Sequence, residues 1–192
     1  MNPLKVLILD EINADKLLEQ TLQKHGYELL CLPLQKLDIS RVVQSLLPDI
    51  IVLNLYSPTK QILGSILEIN QSHAIPVIIF AEDHDTETIN QVIKAGVSAY
   101  VVDGLESKRI KSIIDIAIAR FKEQQLLKDE LKKTKSKLEE RKLIDRAKGI
   151  LIKIKGFSED DAYHALRKLA MERNVAIGEM AKNVIAMADL LK

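Results

Sequence analysis

The sequence predicts an α/β fold in which a doubly wound, parallel five-stranded sheet is followed by a long coiled-coil helix and a C-terminal three-helix unit. Three observations support this prediction. Short apolar runs rich in β-branched residues alternate with helix-like stretches over the first half of the chain. From Ser107 to Lys155 the chain has no proline and a single glycine. Beyond that stretch, apolar residues recur with the spacing of short amphipathic helices.

The first half alternates between the periods of strands and helices. Strands are predicted at Leu4–Leu9, Tyr27–Leu32, Asp49–Leu55, Pro76–Ala81 and Ala99–Val102. Helices are predicted at Ala14–His25, Ile39–Leu47, Lys60–Gln71 and Thr86–Ala95. Three of the strands are nearly continuous apolar runs, which indicates burial on both faces of a parallel sheet. Strand–helix alternation with short connections implies right-handed crossovers and a doubly wound sheet.

The stretch after Gly104 is predicted to be one long helix, with or without a break. Its first part carries a broad apolar face that can pack on the sheet. Further along, a narrow apolar stripe runs between many charged residues, and it consists of Leu127, Leu131, Thr134 and Leu138. Such a stripe is typical of a coiled-coil seam, so we expect a homodimer through residues 122–141. Because the stripe is short and contains a threonine, a solvated linker helix is the alternative.

The end of the chain is predicted to form three amphipathic helices. The first ends at Gly156, which is suited to a left-handed cap. The second begins with a capping-box-like sequence at Ser158 and ends near Asn174, which tolerates the left-handed conformation. The third begins at Ile177. Three helices of this length can bury one small core.

Composition and charge exclude several classes of protein. No apolar run reaches the ~18 residues of a membrane-spanning helix, so no membrane contact is expected. The single cysteine, Cys31, excludes an internal disulfide and favours a cytoplasmic location. Residues 1–104 carry 7 Lys and Arg against 13 Asp and Glu, whereas residues 105–192 carry 21 against 14. A basic segment can bind a polyanion with release of counterions, although long solvated helices are also rich in lysine.

The N-terminal half, about residues 3–121, resembles the receiver domain of bacterial response regulators. The resemblance rests on Leu9-Asp10-Glu11 and on the segments Pro48–Pro58, Pro76–Ala81 and Gly96–Asp103. It implies a flavodoxin-like sheet with five chemical positions at its carboxyl edge. An aspartate accepts a phosphoryl group, two acids hold Mg²⁺ with it, and a hydroxyl residue and a lysine contact the phosphoryl oxygens.

Three of these five positions carry the wrong group for phosphoryl transfer. The acid pair is present as Asp10 and Glu11, but Asn54 stands at the phosphoacceptor position, Ala81 at the hydroxyl position and Asp103 at the lysine position. A carboxamide is not a nucleophile for phosphate, and an aspartate repels a phosphoryl group. We therefore predict a degenerate receiver site that is not phosphorylated.

The carboxyl edge of the sheet is predicted to be acidic. Asp10 and Glu11 are expected to be solvated acids, with weak binding of a divalent ion as the alternative, and no cofactor or metal is predicted. Four more acids follow the strands, namely Glu82, Asp83, Asp85 and Asp103. Because this edge is where α/β sheets meet their ligands, we expect a protein partner there. Tyr100 stands at the aromatic switch position of receivers, although a packed strand residue explains it slightly better.

The C-terminal segment closely resembles the ANTAR domain, an RNA-binding module of transcription antiterminators. The motifs that carry the resemblance are Ala147-Lys148-Gly149, Glu159-x-x-Ala162 and Leu166-Arg167-x-x-Ala170-Met171. A receiver-like domain, a coiled helix and an ANTAR domain in this order resemble the antiterminators of amidase and nitrate-assimilation operons. That resemblance implies control by a ligand-sensing regulatory protein rather than by phosphate.

Basic side chains crowd this small helical unit. The candidate RNA-binding residues are Lys148, Gly149, Lys153, Lys155, Arg167, Lys168, Arg173 and Lys182. Such a cluster can contact the phosphates of an RNA hairpin, and specificity would require unpaired loop bases. For any single lysine, an ordinary solvated position is an equally good explanation. Gly149 is either a point of close approach or a site of helix kinking or tight helix contact, and Glu159 is expected to interact with a helix N-terminus.

The sequence therefore predicts an RNA-binding antitermination regulator that is not an enzyme. Its domains are a receiver-like domain (1–121), a coiled-coil linker helix (122–141) and an ANTAR domain (142–192). A dimer would bind paired hairpins in leader mRNA and prevent terminator formation. The alternative is a phosphorylation-dependent or DNA-binding response regulator. The last helix offers mainly Ala, Met, Ile and Val, which argues against a DNA recognition helix.

Overall fold

The computed structural model describes residues 3–12, 16–35 and 37–190. It divides the chain into two compact units, residues 1–125 and 126–192. The strands are β1 (Lys5–Asp10), β2 (Glu28–Pro33), β3 (Ile50–Leu55), β4 (Val77–Ala81) and β5 (Ala99–Val102). The helices are α1 (Leu17–Lys24), α2 (Ile39–Leu46), α3 (Lys60–Ser72), α4 (Thr86–Ala95), α5 (Ser107–Lys155), α6 (Glu159–Glu172) and α7 (Ile177–Leu190).

The first unit is built on a parallel sheet in the order β2-β1-β3-β4-β5. Every residue of the central strands β3 and β4 is buried, as their continuous apolar sequences predict. The register pairs Asp10 with Asn54, and Leu55 with Ala81, so the carboxyl ends of the three inner strands lie side by side. The predicted α/β fold with a doubly wound five-stranded sheet is therefore confirmed.

Apolar side chains cover both faces of this sheet. On one face, Leu7, Leu53 and Ile79 belong to a cluster with residues of α2, α3 and α4. On the other face, Ile8 and Phe80 belong to a cluster with α1 and the first part of α5. Because alternate strand residues supply the two clusters, each strand contributes to both layers of helices. This arrangement fixes the strand ends on which the site depends.

Short polar side chains define where the helices of the first unit begin and end. Asp38, Thr59 and Asp85 cap the N-termini of α2, α3 and α4 with hydrogen bonds to backbone N–H groups. Gly96 ends α4 with φ of 82°, in the left-handed region that glycine adopts without strain. The side chain of Asn70 donates to the carbonyl oxygens of Ala95 and Gly96, which satisfies acceptors at that helix end.

The second unit packs the end of α5 with α6 and α7 around a small core. The fully covered residues at its centre include three alanines, Ala147, Ala170 and Ala181, with Leu166 and Met180 beside them. Ser158 caps α6 by accepting from the backbone N–H of Asp161. The turn after α6 contains Asn174 in the left-handed region, with φ of 53°, as predicted.

The structure corrects several details of the sequence prediction. The predicted long helix is confirmed as α5, which runs through Gly149 without a break because a single glycine lowers helix propensity by only about 1 kcal/mol. β1 and β2 each begin and end one residue later than predicted, and Leu4 is left 43% exposed. The predicted helix start at Ala14 lies outside the described residues. Across the described ranges, no helix has both the length and the apolar character needed to cross a bilayer.

Candidate functional site

Two surfaces, one in each unit, carry the residues that the sequence singles out. The first is the carboxyl edge of the sheet. Asp10 ends β1, Asn54 is the penultimate residue of β3, Ala81 ends β4, and Asp103 directly follows β5. Parallel strands bring these four positions to one edge, with Asp10 paired to Asn54 in the ladder. The structure thus assembles the geometry of a receiver site around different side chains.

Asn54 is the polar centre of this edge. Its side chain is only 3% exposed, and its Nδ2 donates to Asp10 Oδ1 over 3.1 Å. Its buried Oδ1 has no hydrogen-bond partner among the described residues. An acceptor left in this state costs about 1–3 kcal/mol of desolvation. The amide therefore occupies the phosphoacceptor position without the nucleophilic carboxylate that phosphoryl transfer requires.

The acid pair does not complete a magnesium site of the receiver kind. Asp10 Oδ1 accepts from Asn54 Nδ2 and from the backbone N–H of Ile12, and Glu11 Oε2 accepts from the backbone N–H of Tyr56 over 3.3 Å. A hard cation needs several oxygen ligands, and here an N–H group faces the carboxylate that would provide one. In the described ranges, no group of three or more His, Cys, Asp or Glu side chains is placed to hold a metal ion.

The remaining positions of the degenerate receiver site also lack phosphate-binding groups. Ala81 is buried and offers no hydroxyl, and Asp103 is exposed with φ of 48°, a conformation that aspartate tolerates. Tyr100 is half-buried, and its hydroxyl donates to the carbonyl oxygen of Asp83 over 2.6 Å. Desolvation, reinforced by the charge of Asp83, raises the pKa of Tyr100. Tyr100 therefore packs against the sheet and fixes the β4–α4 loop.

Some acids of the predicted acidic surface accept hydrogen bonds from neighbouring residues in a turn or at a helix N-terminus. Asp83 accepts from the hydroxyl of Ser57 over 2.6 Å and from the backbone N–H of Asp85, and these hydrogen bonds lower the pKa of Asp83. Asp85 caps α4. Two of the four acids that follow β4 and β5 are therefore turn and cap residues. Glu82 and Asp103 are exposed at the edge.

The second surface is the basic helical unit, in which the ammonium group of Lys148 contacts two carboxylates. Its Nζ lies 2.9 Å from Asp145 Oδ1 and 2.8 Å from Glu159 Oε1, and its side chain is only 15% exposed. Hydrogen bonds to Glu159 and Asp145 raise the pKa of Lys148, and the same contact lowers the pKa of Asp145. Lys148 thus links α5 to α6, and Glu159 serves as its counterion.

The other candidate RNA-binding residues lie on the exposed surface of the unit. Those side chains are Lys153, Lys155, Arg167, Lys168, Arg173 and Lys182. Gly149 is exposed as well, and a Cβ added to it would meet no atom within 4 Å. The interpretation of Gly149 as a tight helix contact within this chain is therefore wrong, and its interpretation as a kink or as a point of close approach stays a prediction.

Sequence reasoning missed two cations of this unit. Lys137 and Arg141 line a cavity of about 420 Å³ together with Lys148, Tyr163 and the acids Glu140 and Asp145, and Tyr163 is 40% exposed. The sequence feature that could have revealed them is the spacing of four residues between Lys137 and Arg141, which places both on one face of α5. An aromatic ring beside guanidinium and ammonium groups suits contact with a nucleobase and its phosphate.

The predicted dimer seam is open to solvent in the single chain. Leu127, Leu131 and Leu138 are 61%, 55% and 53% exposed, and Thr134 is exposed as well. Large apolar side chains in a row at coiled-coil spacing are what an unpaired seam presents.

Known proteins match the C-terminal part of this chain and also nearly its whole length. Residues 132–185 match the ANTAR domain family. The transcriptional regulatory protein PdtaR of Mycobacterium tuberculosis is 26% identical over 186 residues, which cover 95% of this chain and 90% of that protein. The nitrate regulatory protein of Klebsiella oxytoca is 34% identical over 88 residues, which cover 46% of this chain and only 22% of that protein.

Solved structures match the first unit at the level of the fold. The receiver domain of a modulated diguanylate cyclase from Desulfovibrio desulfuricans G20 aligns with a TM-score of 0.55 and 19% identity, over 64% of this chain and 98% of that chain. A LuxR-family DNA-binding response regulator from Staphylococcus aureus aligns with a TM-score of 0.51 and 21% identity, over 59% of this chain and 98% of that chain.

The fold and the family match describe the two units of the chain. The first unit has the fold of receiver domains, with Asn54 at the position where receivers carry the phosphoacceptor aspartate, and residues 132–185 of the second unit match the ANTAR domain family. The chain is similar over nearly its whole length to the mycobacterial regulator PdtaR, and over 88 residues to the nitrate regulatory protein.

Proposed function

We propose that this protein is a cytoplasmic transcription antitermination regulator that binds RNA. The observation that carries the proposal is the ANTAR match at residues 132–185, on a unit whose exposed helix surfaces bear most of the predicted basic residues. Exposed lysines and arginines attract the phosphates of a folded transcript, and they hold the protein in register while unpaired loop bases provide specificity. Binding leader hairpins prevents the competing terminator stem from forming. The activity requires no covalent chemistry.

The exposed leucine stripe supports a dimeric form of the regulator. A dimer formed through Leu127, Leu131, Thr134 and Leu138 presents two ANTAR domains, one for each of two hairpins in a leader transcript. Two linked contacts bind more tightly than one because the second contact is intramolecular. The division of the chain that follows from this proposal is 1–121, 122–141 and 142–192.

The receiver-like domain is proposed to dock a ligand-sensing regulatory protein. Asn54, Ala81 and Asp103 replace the groups that phosphoryl transfer uses, so control by aspartyl phosphate is replaced by protein contact. Incubation with acetyl phosphate and magnesium chloride, followed by intact mass measurement, tests this step. We expect no added mass. A gain of one phosphoryl group that disappears in Asp10→Ala or Asp49→Ala would contradict the proposal.

RNA binding itself is testable with a pool of hairpin RNAs that have randomised loops. We expect the full chain to select a subset of loops, and fluorescence anisotropy to show affinity that falls with salt. Arg167→Ala combined with Lys153→Ala should weaken binding and reduce the salt slope by about one unit for each lost phosphate contact. Lys94→Ala, which removes an exposed cation from α4, is the matched control and should change neither. Equal affinity for duplex DNA, or no binding at low salt, would refute the proposal.

A further inference from the structure

An open groove of about 310 Å³ lies between α3 and α4 in the first unit. Lys60, Leu63, Gly64 and Leu67 line it from α3 at the spacing of one helix face, and Lys94 and Ala95 line it from α4. Hydrogen bonds from Asn70 Nδ2 to the carbonyl oxygens of Ala95 and Gly96 connect the two helices. The groove is therefore built between helices that are fixed to each other, and it shares no residue with the carboxyl-edge site described above.

Gly64 is an unfavourable residue for its place in α3. It is the fifth residue of a 13-residue helix, and in a helix interior only proline is less favourable than glycine. Gly64 does not have a positive φ, and a Cβ added to it would meet no atom within 4 Å. Neither the backbone conformation nor a close contact with the described part of the chain therefore requires a glycine here. Its missing side chain leaves space at the surface of the groove.

Two more residues of the groove are unfavourable in their local context. Lys60 is the first residue of α3, where the helix dipole disfavours a positive charge. Leu67, which lies three residues beyond Gly64 on the same face, is 45% exposed. Residues that break local rules without a gain in stability are characteristic of functional surfaces, and here three of them line one groove. Together they indicate a surface that a partner completes.

The charge of the groove indicates the chemistry of that partner. Its lining includes two lysines and no acid, although residues 1–104 carry 13 Asp and Glu against 7 Lys and Arg. Neither Lys60 nor Lys94 forms an ion pair with a residue that the structure describes. The neighbouring carboxylate of Glu87 accepts from Gln91 Nε2 over 3.3 Å. A second copy of this chain is a poor occupant, because its exposed leucine stripe lies in residues 122–141, which carry 7 Lys and Arg against 5 Asp and Glu.

We propose that this groove binds an acidic amphipathic helix of a partner protein. Apolar side chains of that helix occupy the space beside Gly64 and contact Leu63 and Leu67, and its carboxylates pair with Lys60 and Lys94. A helix that lays its apolar face into a groove is a recurring mode of peptide recognition. The inference deepens the proposed control of the first unit by a regulatory protein and rests on that part of the proposed function. It does not depend on RNA binding, which is proposed for the other unit.

The probe is a synthetic amphipathic peptide of about 15 residues, long enough to form a helix, with leucines on one face and glutamates on the other. NMR of the isotope-labelled full chain should show saturable shifts of the backbone amides that line the groove. A matched peptide with glutamine in place of each glutamate should bind about tenfold more weakly, because it loses two exposed ion pairs. Equal affinity of the two peptides, or no shift in the groove, would overturn the proposal. Shifts confined to the carboxyl edge would also overturn it, but they would leave control by a partner protein standing.

Variants locate the site. Gly64→Gln fills the groove with a better helix former, so it should raise the midpoint of urea unfolding and weaken binding of the acidic peptide about tenfold or more. A merely structural glycine would not move these two measurements in opposite directions. Lys60→Gln combined with Lys94→Gln should weaken binding of the acidic peptide about tenfold and leave binding of the glutamine peptide unchanged. Lys24→Gln removes an exposed cation from α1 and is the control, with unchanged affinity for both peptides.

The variants also decide between the groove and the basic unit as the place where an acidic peptide binds. If circular dichroism shows that Gly64→Gln does not fold, the variant with exchanged Lys60 and Lys94 decides, because both side chains are exposed. Unchanged affinity for the acidic peptide in that variant would refute the assignment.

Discussion

Restoring the aspartate at position 54 is expected to destabilise this protein rather than repair it. In the native chain Asn54 Nδ2 donates to Asp10 Oδ1 over 3.1 Å. Asn54→Asp replaces that donor with a second carboxylate in a site that is 3% exposed. Two like charges about 3–4 Å apart repel by roughly 4–5 kcal/mol at an effective dielectric constant of 20. The lost hydrogen bond to a charged acceptor adds about 1.5–3 kcal/mol.

The pH dependence of this variant has a definite sign. Repulsion favours the protonated form of the new carboxyl, so its pKa in the folded state exceeds the ordinary value of about 4. The folded chain then binds more protons than the unfolded chain above that pH, and the free energy of unfolding falls as pH rises. The deficit is absent below pH ~4 and grows with pH until the pH exceeds the raised pKa of the new carboxyl. In native receivers a cation offsets such repulsion, whereas here Asp103 adds to it.

Urea unfolding followed by circular dichroism measures the effect. We expect Asn54→Asp to lose several kcal/mol at pH 7 and to approach the native protein at about pH 4, and millimolar magnesium chloride to recover part of the loss in the variant only. Asn54→Leu is the control, because it removes the same hydrogen bond and the unpaired oxygen without adding charge. Equal stability of Asn54→Asp and the native protein at pH 7, with no pH slope between them, would refute the reasoning.

Three further predictions concern the second unit. Leu166→Ala should lower the free energy of unfolding by about 2–5 kcal/mol in thermal or urea melts, because Leu166 is fully buried in a small core; a native-like midpoint would contradict that packing. Leu131→Lys with Leu138→Lys should convert a dimer to a monomer in analytical ultracentrifugation, and an unchanged sedimentation coefficient would reject the seam. The Lys148–Asp145 contact should stabilise the unit at neutral pH, and this stabilisation should be lost as pH falls through the lowered pKa of Asp145. Lys148→Met should therefore abolish the fall in the free energy of unfolding at acid pH. An identical pH profile in the variant and the native protein would contradict this prediction.

The sequence predicted the framework of the molecule because strand periodicity and burial are local properties. Continuous apolar runs were sufficient to place β3 and β4, and the spacing of motifs placed Asn54, Ala81 and Asp103 at one edge. The left-handed conformation of glycine and asparagine at helix ends was predicted correctly, because that conformation is a property of single residues.

Contacts between side chains that are distant in sequence could not be predicted in the same way. Lys148 was expected to be an available cation, but Glu159, eleven residues further along, accepts from it across the α5–α6 turn. The unpaired oxygen of Asn54 depends on which atom of the amide faces Asp10, and no sequence pattern encodes that choice. Lys137 and Arg141 lay outside the motif that drew attention to the unit, and only the packing of Tyr163 beside them reveals the cavity that they line.

The three alanines in the core of the second unit have a mechanical consequence. Ala147, Ala170 and Ala181 bring one methyl group each to the places where α5, α6 and α7 meet. Methyl-sized contacts allow helix axes to approach closely. The size of these core residues therefore determines the distance between cations on neighbouring helices. A valine at any of these positions would push two helices apart at a cost of about 1–3 kcal/mol. The smallest interior side chains of this unit therefore determine how far apart the exposed cations of α5, α6 and α7 lie.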